Sequence, residues 1–219
     1  MLNNEDYLNI FHEIKNSITL ISSSLQLVAK KHPEVGDFDY WQEAMSEIDF
    51  LKRIVTQLSS TRLYGNPKIE KLDIHTLMNQ IESSVRAFSR KNFSYCLSVE
   101  ENLPLVEMDA QLMKQAIVNI IKNAYEATEV PGVIELRIFS QRQCLHISIT
   151  DHGGGLDPAI ASSIFQPLIT TKTGGSGLGL VITQQIVESH QGTITCDSRP
   201  GDGCTFTITL PFSQQTGNN

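Results

Sequence analysis

The sequence predicts an α+β protein in two parts. An N-terminal antiparallel helical hairpin forms a dimeric four-helix bundle, and an α/β sandwich follows it. Three observations carry this prediction. Residues 1–63 hold one Gly (Gly36) and one Pro (Pro33), with apolar residues at helical spacing on either side. From about residue 69, strand-like alternation and helix-like runs take turns. Hydrophobic residues make up 40% of the 219, enough to bury a core and to exclude a wholly disordered chain.

The first helix is justified by Phe11, Ile14, Ile18, Ile21, Leu25 and Val28, which step by threes and fours along a heptad seam. The second carries Trp41, Ala44, Ile48, Leu51, Val55 and Leu58 at the same steps. Each stretch is about 25 residues, roughly 37 Å of helix. The link KHPEVGD is short enough to make the helices antiparallel neighbours. One hairpin cannot bury both stripes, and each apolar side chain left wet forfeits roughly 1.5–3 kcal/mol. A homodimer through residues 1–63 buries all four stripes.

Residues 64–68 read as a linker around Gly65 and Pro67. Residues 69–212 form the second domain. There Asp73 suits the N-cap of a helix over 74–88, and Asp109 the N-cap of a helix to about Thr128. Strands are expected at 94–100, 133–139, 144–150, 192–198 and 204–210, with a helix over about 177–189. Residues 213–219 read as a disordered tail.

Composition removes several classes of function. Formal net charge is −7, so the chain lacks the basic excess of a nucleic-acid or anionic-membrane binder. No two of Cys96, Cys144, Cys196 and Cys204 stand at C-x-x-C spacing, which argues against a zinc ribbon or thioredoxin-type site. Four cysteines in a chain of this length fit a reducing, cytoplasmic setting. No apolar run is long enough to span a membrane, and the N-terminus lacks a signal-peptide core.

Four groups in the second half carry chemistry. Asn119 and Asn123 stand four apart on the long helix and share a face, while Ile117, Ile120, Ile121 and Ala124 point to the core. Amide oxygens of that kind can ligate a hard cation beside phosphate. Asp151-His-Gly153-Gly-Gly155 follows a strand, where glycines let backbone approach a flat ligand and a carboxylate can accept from an exocyclic amine. Thr171-Lys172-Thr173-Gly174-Gly175-Ser176-Gly177-Leu178-Gly179 runs into a helix start, a favourable place for phosphate. Gly203-Cys204-Thr205-Phe206 lies in the last hairpin.

In this order the four groups resemble the ATP-binding domain of histidine kinases and their superfamily, which includes gyrase, a mismatch-repair protein and a heat-shock chaperone. Asn119–Ala127 looks like the N box, Asp151–Gly155 and Gly175–Leu180 like the two Gly boxes, and Ser163–Lys172 like the F box leading into an ATP lid. The resemblance covers roughly residues 69–211. It implies that Asn123 ligates Mg²⁺ with support from Asn119, and that Asp151 holds the adenine amino group with Thr205 nearby. Gly153 and Gly155 would shape that pocket. Lys172, Thr173, Gly175, Gly177, Leu178 and Gly179 would line the phosphates. Leu168-Ile169 stands where the family commonly has two Phe, and His152 where Asn is common.

The first half selects the reaction. Phe11-His12-Glu13-Ile14-Lys15-Asn16 resembles the H box of sensor histidine kinases. His12 falls beside the seam, open to a docking domain, and neutral imidazole is a competent nucleophile. Glu13 could accept its other ring proton, and Asn16, one turn on, could position a water for dephosphorylation of a partner. Ser17-Ile18 replaces the Pro-Leu common in the family.

The expected function is therefore an ATP-dependent protein-histidine kinase of a two-component system. It autophosphorylates on His12 and passes the phosphoryl to an aspartate of a response regulator receiver domain. No contact of this chain with membrane or nucleic acid is expected. The chain is either a core cut from a longer sensor kinase or a short kinase governed by a partner. Two alternatives stand beside this one: a serine kinase or anti-sigma-type protein of the same superfamily, and a phosphotransfer scaffold with a degenerate ATP site.

Overall fold

A computed structural model describes residues 4–63, 67–88, 93–128, 132–167, 169–172 and 175–213. Within those, the side chains of residues 4–12, 53, 56–63, 87–88 and 93 lie outside the description. The residues read as a linker at 64–66 and as a tail at 214–219 also lie outside it. The chain folds as two compact units. One comprises Met1–Gly65 with Pro167–Leu178, and the other comprises Asn66–Gln166 with Gly179–Asn219.

In the first unit, α1 (Asn4–Lys31) and α2 (Trp41–Leu63) pack on one another. The link between them is more ordered than a plain Pro–Gly turn. Pro33–Asp37 forms a 3-10 helix, with Pro at its start and Val35 buried. The Phe38 N–H donates to the Val35 carbonyl at 3.1 Å, closing that turn. The seam residues do not all share one fate. Ile18 and Leu25 are half-buried and Val55 is buried, whereas Ile14, Ile21, Val28 and Leu51 stay exposed. A polar contact sits in the hairpin as well. Ser22 is fully buried and its hydroxyl accepts from Lys52 Nζ at 2.5 Å.

The second unit is a sheet covered on one face by helices. Its strands are β2 (Phe93–Val99), β4 (Gly132–Gln141), β5 (Cys144–Asp151), β6 (Thr193–Arg199) and β7 (Gly203–Pro211), in the order β2-β4-β5-β7-β6. Every pairing is antiparallel except β2 with β4, which the crossover helix α4 (Ala110–Ala127) makes parallel. Alternation decides the faces. Leu145, Ile147, Ile149 and Asp151 of β5 point inward, as do Cys204, Phe206, Ile208 and Leu210 of β7. Helix α4 lies on β4, β5 and β7, flanked by α3 (Ile74–Phe88) and α6 (Gly179–Ser189). Its Leu112, Met113, Ala116, Ile117, Ile120, Ile121 and Ala124 fill the layer between.

Both expected caps are present. Asp73 accepts from the His75 N–H at 2.9 Å, and Asp109 Oδ1 from the Gln111 and Leu112 N–H groups. Two short strands and one short helix were not expected. β1 (Glu70–Leu72) pairs antiparallel with β3 (Val106–Met108), and α5 (Pro158–Ala161) is capped by Asp157. Strands of three residues are too short to display alternation. The segment Pro167–Leu178, read from sequence as part of the second domain, groups with the first unit instead. Within it the Gly175 N–H donates to the Lys172 carbonyl and the Lys172 N–H to Thr170 Oγ1. Among the described residues, no helix is long and apolar enough to cross a membrane.

Candidate nucleotide site

The site is assembled where β5 ends, against the C-terminal half of α4. The inward parity of β5 carries Asp151 into the layer under the helices, where it is 2% exposed. Its Oδ1 accepts from the Gly153 N–H at 3.0 Å, so the carboxylate bends the Gly-rich loop back over itself. A side chain at Gly153 would overlap the Ala127 carbonyl, which lets the loop lie directly on the end of α4. On the far side, Gly154 accepts from the Gly201 N–H at 2.8 Å, and the Leu156 N–H donates to Ser198 Oγ at 2.8 Å. Gly155 sits between these anchors at φ +70°. A cavity of about 690 Å³ opens here, lined by Ala127, Thr128, Gly132, Val133, His152, Gly153 and Gly154.

Asn119 and Asn123 both lie half-buried on one side of α4, as their spacing of four requires. Asn119 is tied to α6: its Nδ2 donates to Thr183 Oγ1 at 2.9 Å, and Thr183 is fully buried. Thr183 in turn donates to the Gly179 carbonyl at 3.0 Å. A Cβ on Gly179 would stand 2.7 Å from Asn119 Oδ1, so only glycine allows the first turn of α6 to press on this amide. The Asn119 amide nitrogen is thus committed to holding α6, and its oxygen faces the start of that helix.

Thr205 stands one register position from Asp151, with its side chain on the other face of the sheet. It pairs with Thr150 across β5 and β7, and their hydroxyls meet at 3.0 Å on the outer face of the sheet. Strand parity puts Cys204 opposite Asp151, buried at 7% exposure. The signal was available in the sequence. Cys204, Phe206, Ile208 and Leu210 form the apolar half of the alternation, and Thr205, Thr207 and Thr209 the polar half. Gly203, at the start of the same strand, has a structural part in the site. It has φ +87°, and a Cβ there would overlap the Asp151 carbonyl. This glycine allows the close strand crossing that backs Asp151.

The residues expected in the lid fall in the first unit. Lys172 is exposed, Gly175 and Gly177 are half-buried with Gly177 at φ +63°, and Leu178 is buried. Thr173 lies outside the described residues. On α1, Glu13 and Asn16 are exposed, and the His12 side chain lies outside the description.

With that geometry in hand, comparison with known proteins is decisive for the second unit. Residues 108–214 match the histidine kinase-, DNA gyrase B-, and HSP90-like ATPases. The chain carries a histidine kinase-type ATPase domain. Over 94% of its length it is also 29% identical to the signal transduction histidine-protein kinase AtoS of Escherichia coli K12, of which it spans 34%. The curated relatives it matches are longer, and the chain spans between about a third and three fifths of them. Full-length ShkA, solved with AMPPNP, shares the fold across 99% of this chain and 47% of its own at TM-score 0.74 and 20% identity. The histidine kinase ThkA in complex with the response regulator TrrA covers 97% of this chain and 63% of its own, at TM-score 0.65 and 23% identity. Both the helical part and the ATPase domain fall within the span matched by these histidine kinases.

Proposed function

We propose that the chain is an ATP-dependent protein-histidine kinase of a two-component system. It phosphorylates His12 and passes the phosphoryl to an aspartate of a response regulator receiver domain. The observation that carries this reading is the buried Asp151, turned by the Gly153 N–H against the end of α4 in an ATPase domain of histidine kinase type. A carboxylate held in this way suits the adenine amino group. The structure solved with AMPPNP and the complex with a response regulator, both of related fold, support the nucleotide and the partner.

The residues fit a hard divalent cation. Asn123 offers an amide oxygen from a half-buried position on α4, and neutral oxygen donors suit a Mg²⁺ that phosphates hold in the main. Mg²⁺ would neutralise charge on the transferring phosphoryl group. Asn119 fixes the start of α6, and that helix's exposed N–H groups suit the triphosphate. Lys172, Thr173, Gly175, Gly177 and Leu178 then close over the phosphates, with Gly179 at the helix start. A ring nitrogen of neutral His12 attacks the γ-phosphorus in line. The N–P bond forms as the bond to the ADP oxygen breaks, and Glu13 accepts the proton from the other ring nitrogen. Asn16, one helical turn from His12, positions water for hydrolysis of the regulator's phosphoaspartate.

The exposed apolar row of Ile14, Ile21, Val28 and Leu51 supports a homodimer through residues 1–63. Residues 64–68 act as the joint between the two domains, with 69–212 as the ATPase domain. The kinase works in the cytoplasm, where ATP and receiver domains are found.

The test is the chemistry of the labelled residue. Incubation with Mg²⁺ and γ-labelled ATP gives a label that acid removes and base spares. Acid-stable label would assign the chain to the serine kinases or anti-sigma-type proteins of the superfamily. If ATP leaves the melting temperature unchanged, the chain is a phosphotransfer scaffold. Asn123→Ala is expected to lose labelling through weakened Mg²⁺–ATP binding. The same variant still accepts phosphoryl when mixed with wild type if transfer runs between chains.

A further inference from the structure

Beside the nucleotide site lies a pair of thiols that the phosphotransfer chemistry does not use. Cys204 of β7 stands opposite Asp151 of β5, and Cys196 lies on the neighbouring strand β6. Cys196 pairs in register with Phe206, and Ser198 with Cys204, so Cys196 and Cys204 are diagonal neighbours on the inner face. The two thiols influence each other's acidity more than anything else around them does. Ser198 Oγ also lies 3.2 Å from Cys204 Sγ. The Cys196 neighbour and then Ser198 pull the Cys204 thiol below its ordinary value, while the Cys204 neighbour, then burial, pushes the Cys196 thiol up. Cys204 is therefore the more acidic thiol of the pair, the one favoured to supply the thiolate that attacks peroxide.

We propose that Cys196 and Cys204 form a peroxide-oxidised dithiol that controls nucleotide affinity. The reaction balances with hydrogen peroxide as the oxidant. The Cys204 thiolate attacks one peroxide oxygen, the O–O bond breaks, and hydroxide leaves, giving a sulfenic acid. Cys196 sulfur then displaces water from that sulfenic acid as its own proton is lost, forming the S–S bond. Two thiols and one peroxide become one disulfide and two waters.

The geometry supplies the consequence. Diagonal partners across an antiparallel pair lie roughly 7–8 Å apart at Cα, just beyond the usual span of a disulfide. Closing the bond draws β6 along β7. β6 can move because it is an edge strand, paired on one side only. Ser198 travels with β6. It accepts from the Leu156 N–H, and it donates to the Gly203 carbonyl at 3.0 Å. Both bonds anchor the loop and crossing that shape Asp151. A disulfide closed against such resistance is easily reduced, as a regulatory bond must be.

The inference rests on the nucleotide reading, and its test separates the two. The full chain carrying Cys96→Ser and Cys144→Ser is treated with hydrogen peroxide and measured in two ways. Intact mass reports loss of two hydrogens, and a fluorescent ATP analogue reports affinity. The expected result is loss of two hydrogens, an affinity about tenfold weaker, and recovery of both on adding dithiothreitol. Adding Cys196→Ser to that background should abolish the mass change and keep the reduced protein's affinity under peroxide. Absence of the mass change overturns the proposal, and so does unchanged affinity in a protein shown to have closed the bond. A reduced protein that binds no ATP analogue overturns the nucleotide reading and the control of affinity with it. The mass change then decides the dithiol by itself.

Discussion

His190 shows how much one side chain can join. It is fully buried at the end of α6, and its Nε2 accepts from the Asp109 N–H at 2.9 Å. Its Nδ1 donates to the Ile186 carbonyl at 2.7 Å. Asp109 caps α4 with one carboxylate oxygen and accepts from the Lys68 N–H with the other. The ring thus ties two helix ends, and it must be neutral to do so, because Nε2 is an acceptor. Burial lowers its pKa from the ordinary 6.5, opposed by the Ile186 carbonyl and the Asp109 charge. A lowered histidine stabilises fully above its unfolded value and less as pH falls toward its folded one. The melting temperature should therefore drop between neutral pH and about pH 5. His190→Leu should flatten that drop while lowering stability at neutral pH by about 1–3 kcal/mol for each polar group left unpaired. A wild-type melting temperature that holds steady over this range would contradict the role. Nothing in the sequence around His190 marks this network, since its partners are 81 residues away and on a neighbouring turn. The caps at Asp73 and Asp109 were legible because capping is local. The partnership of Asn119 with Thr183 was not, because it exists only once α4 and α6 are packed.

Among the elements, α1 and α2 read clearly from their heptads, yet the heptad did not say which seam residues one hairpin would satisfy. Ile18 and Leu25 are half-buried and Val55 is buried, while Ile21 remains 51% exposed and Leu51 45% exposed. If a second copy covers that row, Ile21→Glu places two charges in the bundle and removes two buried side chains. The dimer should weaken by at least about a hundredfold, at roughly 1.5–3 kcal/mol per lost side chain. Sedimentation equilibrium gives the answer, and a variant as dimeric as wild type would mean that the row faces something else. In the sheet, the two inner strands β5 and β7 were legible from strict alternation. The same alternation, followed to its end, sets Cys204 opposite Asp151 and Thr205 on the other face. Motif matching alone does not track which face a residue takes. The pair β1 and β3 escaped notice because three residues show no period.

At the scale of the whole molecule, the ATPase domain was legible because its four motifs depend on local backbone needs: glycines where chains cross, a carboxylate at a strand end, amides one turn apart. How the lid segment groups was not, since the described residues of Pro167–Leu178 form no strand or helix whose pattern could place them. In the proposed reaction a phosphoryl group leaves ATP for the imidazole of His12. The most direct measurement is to locate the phosphoryl on the protein after incubation with Mg²⁺ and ATP, by peptide mass spectrometry at alkaline pH. One phosphoryl on His12 is predicted, with none on His12→Gln, which should bind nucleotide as tightly as wild type. A phosphoryl on a serine or threonine, or undiminished labelling of His12→Gln, would contradict it.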